Sequence, residues 1–101
     1  MTKSLHNKIA KKLAKKFGTK YKSDEGIDIV DRKRRRVIEV EVREESLSQG
    51  MDQVIRSVMA RYLAVPKKLI KKAKEVTKGT GVGVMNESGR IIKKASRKKK
   101  K

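Results

Sequence analysis

Three acids, Asp28, Glu39 and Glu41, have types and spacing that could do chemistry. From Val37 to Arg43 apolar and polar residues alternate, so a strand there turns Ile38, Val40 and Val42 to one face and Val37, Glu39, Glu41 and Arg43 to the other. Upstream, Ile27 and Ile29 alternate with Asp28 and Val30, and the basic run that follows reads as a turn of two or four residues. Either even length sets Asp28 opposite Glu39, whereas an odd length shifts the register and puts them on opposite faces. Like charges facing each other across two strands cost a few tenths to about 1 kcal/mol. A divalent cation is the natural compensation. Hard carboxylate oxygens suit Mg²⁺ or Mn²⁺, and the chemistry such an ion brings is polarisation of a phosphodiester and acidification of a water.

Charge points to the same kind of substrate. The chain has 101 residues, 30 Lys or Arg against 11 Asp or Glu, and a formal net charge of +19, which makes a polyanion the expected partner and nucleic acid the first candidate. The charge is uneven. Residues 24–52 hold nine of the acids and six of the bases, a local balance of −3, while the remainder carries +22. Cations that grip a polymer around acids that hold a metal is the arrangement expected of a site acting on phosphodiesters. The absence of cysteine rules out disulfides, thiolate nucleophiles and zinc-thiolate centres. No apolar run is long enough for a membrane span or a signal-peptide core, so the expected setting is the cytoplasm, in association with the nucleoid, with no membrane partner.

The elements that must position these acids follow from periodicity. Residues 3–17 read as a helix with Leu5, Ile9, Leu13 and Phe17 on one side and Lys8, Lys11, Lys12, Lys15 and Lys16 on the other, ended by Gly18. Phosphate contact is expected of the lysine face. His6 falls on the apolar side and reads as structural. A short strand at 19–23 precedes the hairpin, whose tip at 32–36 is unbroken positive charge (Arg32, Lys33, Arg34, Arg35, Arg36), either an exposed turn or a finger touching DNA. Ser46 reads as the N-cap of a helix running through Leu47, Met51, Val54, Ile55 and Val58 to about Arg61, with Gln49, Asp52, Gln53 and Arg56 on its polar face and Asp52 four residues from Arg56. Residues 62–65 are apolar without alternation, as in a strand buried on both faces beside a parallel neighbour. Pro66 then opens a lysine-rich helix at 67–78 that Gly79 closes. A strand at 80–85, a turn at 86–89 and an edge strand at 90–95 complete one α/β domain of residues 1–95 with a mixed central sheet. The tail at 96–101 is too charged to fold alone.

An Asp on one strand followed by Glu-x-Glu on the next, set between a first helix and an amphipathic second one, resembles the PD-(D/E)XK, or restriction-endonuclease-like, nuclease superfamily. Asp28 and Glu39 match its first two positions, and Glu41 stands where most members have lysine. The resemblance implies a core of helix, three-strand antiparallel meander, helix, strand, helix and strands. It also implies Mg²⁺ or Mn²⁺ on Asp28, Glu39 and Glu41, with Gln53 or Gln49 leaning in from the second helix. Lys11, Lys12, Lys15, Lys16, Arg32, Lys33, Arg34, Arg35 and Arg56 would contact DNA. Archaeal Holliday junction resolvases, small, basic and typically dimeric, are attractive relatives, and a homodimer is therefore expected. Those enzymes place an acid on the first helix, and here there is none. The rival expectation is a binder of duplex DNA or RNA without enzymatic activity. With one Phe, two Tyr and no Trp, base stacking is a poor basis for recognition. A third is a ribonucleoprotein subunit, which would share the charge but need no clustered acids.

Overall fold

The computed structural model describes residues 2–21 and 27–96. In chain order they form α1 (Thr2–Lys16), β1 (Ile29–Asp31), β2 (Arg36–Val40), a 3-10 turn (Glu44–Ser46), α2 (Leu47–Val54), β3 (Ala60–Val65), a second 3-10 turn (Lys67–Leu69), α3 (Ile70–Thr77), β4 (Gly83–Asn86) and β5 (Ile91–Lys93). The strands make one mixed sheet in the order β1-β2-β3-β4-β5, with β2, β3 and β4 mutually parallel and both outer strands antiparallel to their neighbours.

Two apolar layers sandwich this sheet. Along β3, Tyr62 and Ala64 pack with Ile38, Val40 and Met85 under Ile9, Ala10, Leu13, Ala14 and Phe17 of α1. Leu63 and Val65 face the other way, joining Val37, Leu47, Val54, Ala73 and Val84 under α2 and α3. Burial on both faces explains why β3 shows no alternation in sequence. No helix among the described residues is long and apolar enough to cross a membrane.

The basic turn has four residues, Arg32 to Arg35, and the β1–β2 register pairs Ile29 with Ile38 and Asp31 with Arg36. This is one of the two even-length turns that put Asp28 across from Glu39. Arg35 closes the turn at φ 54°, the left-handed region. Of the strand expected at 19–23, the described residues 19–21 show a bridge between Tyr21 and Ile29, and residues 22 and 23 lie outside the described residues. So does nearly all of the charged tail, residues 97–101.

Four further expectations are corrected. Leu5 is 39 % exposed, because the buried stripe of α1 begins one turn later at Ile9. The second helix stops at Val54, well short of Arg61: the Ala60 N–H bonds to the Arg35 carbonyl and starts β3, which leaves Val58 82 % exposed on the connection. Arg56 lies beyond that helix end, so it has no turn of helix to hold it beside Asp52. Ser46 stands at the N-cap position without a side-chain cap; its hydroxyl donates to the Arg43 carbonyl instead.

Candidate functional site

Asp28 and Glu39 meet where the β1–β2 ladder runs out, and their side chains take over from the main chain. The Asp28 N–H donates to Glu39 Oε1 at 3.0 Å, and the Val40 N–H donates to Asp28 Oδ2 at 2.9 Å. Each acid is thus fastened to the opposing strand. Both are buried, at 7 % and 8 % exposure. Burial pushes the Glu39 carboxyl up to about 8, with the Asp28 charge adding to the effect, so Glu39 carries a proton at neutral pH.

Glu41 continues on the same side of β2 as Glu39 and lies against α2. A Cβ placed on Gly50 would collide with the Glu41 carboxylate and its Cγ. Glycine within a helix costs about 1 kcal/mol relative to alanine, and here it clears the space that the Glu41 side chain fills. Burial raises the Glu41 pKa, the Ser46 hydroxyl opposes that shift, and the Asp28 charge adds to it.

The fourth member is His6. Its Nε2 lies 3.0 Å from Asp28 Oδ2, its Nδ1 is 3.3 Å from Asn7 Oδ1, and Tyr21 donates its hydroxyl to that same Asn7 oxygen at 3.0 Å. The bond to Asp28 outweighs desolvation and lifts the imidazole to about 9, which puts a proton on each ring nitrogen. Sequence reasoning gave His6 a structural role, since no second metal-ligand type stood near it in the chain. Its partner is 22 residues away. Gly50 was likewise unread; a lone glycine inside an apolar-periodic helix was the available signal.

The remaining expected site residues fall into groups. Gln53 and Gln49 are exposed on α2 and hydrogen-bond to none of the acids, and Arg56 is exposed beyond the helix end. Lys11, Lys12 and Lys15 are exposed on α1, as is Lys16, whose Nζ donates to the Ser88 carbonyl at 2.6 Å. At the hairpin tip Arg32, Lys33 and Arg35 face solvent. Arg34 folds back, donating to Asp31 Oδ2 at 3.2 Å and to the Phe17 carbonyl at 3.4 Å. Arg36 is buried: its Nε donates to Asp31 Oδ2 at 3.0 Å and its guanidinium lies 4.2 Å from the Phe17 ring centroid. The tip's unbroken charge is therefore shared between a solvated finger and an inward clamp.

Hard carboxylate oxygens are the ligand type that Mg²⁺ or Mn²⁺ takes. As they stand, the carboxylates are spread over hydrogen bonds of their own, and among the described residues no three His, Asp or Glu converge to hold an ion. Compared with protein-family models, curated proteins and solved structures, the chain matches none.

Proposed function

We propose that the protein is a metal-dependent nuclease that hydrolyses DNA phosphodiesters, with a restriction-endonuclease-like arrangement of its core. The observation that carries this reading is the set of three acids, Asp28 and Glu39 buried and Glu41 half-buried beside them, at the ends of adjoining strands in a molecule of charge +19. Two of the three have raised pKa values, which is what mutual repulsion and burial do when no cation is counted.

Asp28, Glu39 and Glu41 would hold Mg²⁺ or Mn²⁺, whose chemistry when bound is polarisation of a phosphodiester and acidification of a water. For the chain's own part, Glu39 must release its proton to become a ligand, so cation affinity rises with pH. Glu41, half-buried next to Glu39, can complete the ligand set or orient a water beside it. His6 brings positive charge to the site in a chain whose third motif position is not lysine. The lysines of α1 and the solvated tip residues Arg32, Lys33 and Arg35 bind backbone phosphates.

A second reading, duplex binding without cleavage, is favoured by one observation: the Asp28 and Glu39 carboxylates already accept hydrogen bonds that stitch β1, β2 and α1 together. The two separate in one assay. Labelled duplex, flap and four-way-junction DNA are incubated with Mg²⁺ or Mn²⁺ and with wild type, Asp28→Ala and Glu39→Ala, and binding is measured alongside. Metal-dependent cutting that both variants lose while still binding is the expected result. Binding of every substrate with no cutting by the wild type would leave the second reading.

A further inference from the structure

The two outer layers of the molecule carry separate lysine surfaces that point away from each other. On α1, Lys8, Lys11, Lys12 and Lys15 are all exposed and lie opposite the buried Ile9, Leu13 and Phe17. On the other face of the sheet, Lys67, Lys71, Lys74 and Lys78 are exposed and recur at intervals of four, three and four residues along the α3 segment, on its outward half, opposite the buried Leu69, Ala73 and Thr77. That stripe runs about 16 Å at 1.5 Å per residue.

Among the described residues neither row is neutralised from within. Among the described residues, the acids near α3 are used elsewhere: Glu44 and Glu75 both pair with Lys72, which lies off the stripe. Among the same residues no ion pair involves the four α1 lysines. Like charges three or four residues apart on a helix repel, so each row is a standing cost that a polyanion removes. The sheet and its two apolar layers lie between the rows. One duplex laid along α1 therefore leaves α3 on the far side, and a polymer with a persistence length of about 150 base pairs resists wrapping around a body whose extents are 42 × 28 × 23 Å.

We propose that one molecule bridges two double-stranded DNA segments, one on the α1 lysine row and one on the α3 row. The inference shares the polyanionic partner of the reading above and is independent of the carboxylate site.

The test is run in EDTA so that no cleavage intervenes. Duplex immobilised on beads captures a second, fluorescent duplex of unrelated sequence through added protein; single-duplex affinity is measured separately by anisotropy across a salt series. The proteins are wild type, Lys11→Glu/Lys15→Glu and Lys71→Glu/Lys74→Glu, with the corresponding Gln pairs in reserve should helicity by circular dichroism be lost. The expected result is that the wild type captures the second duplex. Each double variant should still bind one duplex, with capture reduced at least tenfold. A salt slope shallower by up to about 2 would accompany loss of two phosphate contacts from the row being read. If the α3 variant captures as well as the wild type, or if either variant loses single-duplex binding altogether, there is one surface and not two, and the proposal falls. No capture by a wild type that binds single duplexes overturns the bridge alone; no binding to duplex at all overturns the bridge and the DNA-directed reading together, whatever the acids do.

Discussion

Glu39 and His6 each keep a proton in the fold at a pH where the unfolded chain has released it, Glu39 to about 8 against 4.5 and His6 to about 9 against 6.5. The native state therefore binds more protons than the unfolded one, and stability falls as pH rises from about 4.5 towards 9, first through the Glu39 window and then through that of His6. The expected loss is roughly 1–3 kcal/mol from about pH 6 to about pH 9, measured as a drop in the urea midpoint. Glu39→Gln, which mimics the protonated acid, should flatten the Glu39 part of the slope and make the protein more stable than wild type at pH 9; an unchanged slope would contradict the assignment. Gly50 gives a second test. Gly50→Ala puts a methyl where the Glu41 carboxylate and Cγ lie, and because that side chain can swing away, the helix gains alanine's propensity, about 1 kcal/mol, against the cost of displacement. The melting temperature should move by only a few degrees, while Mn²⁺ affinity, read by calorimetry, falls about tenfold or more. Neither His6 nor Gly50 was legible as a site residue. The contact partner of each is separated from it in the chain and becomes its neighbour only through the sheet, whereas Asp28, Glu39 and Glu41 declared themselves through alternation within two adjoining strands.

The hairpin depends on Asp31, one of the nine acids within residues 24–52. Asp31 is 1 % exposed and accepts from both Arg34 and Arg36. Removing it strands the Arg36 guanidinium between Phe17 and the sheet; Arg34, half in solvent, can simply turn outward. Asp31→Ala should cost about 3 kcal/mol by urea denaturation, and Asp31→Ala/Arg36→Met should recover most of it, since an apolar side chain in that slot leaves no charge unpaired. Elements with one dominant period were readable, namely the strand buried on both faces and the lysine-backed helix that Gly79 ends, whereas the length of the basic turn was left open between even and odd. The end of α2 was not. Ile55 and Val58 continue the helical spacing, yet the Ala60 N–H is claimed by the Arg35 carbonyl at the end of the basic turn, a tertiary hydrogen bond that no local pattern encodes.

For the molecule as a whole, α1 has three jobs at once. It roofs one face of the sheet, delivers His6 to Asp28, and presents a row of lysines to solvent. A ligand held on the outside of this helix must therefore be felt beneath it, since any opening that lifts α1 away exposes Ile38, Val40, Tyr62 and Ala64 and also breaks the contact with the ligand. Backbone amides of β2 and β3, buried in the sheet and out of reach of DNA, should exchange with deuterium more slowly once duplex is bound, wherever their exchange proceeds through that opening. Those of β5, at the uncovered edge, should not. Occupancy of the surface would then be legible as a slowing of clocks in the interior, and Lys11→Glu/Lys15→Glu, by loosening the grip on α1, should set those clocks running again at the unbound rate.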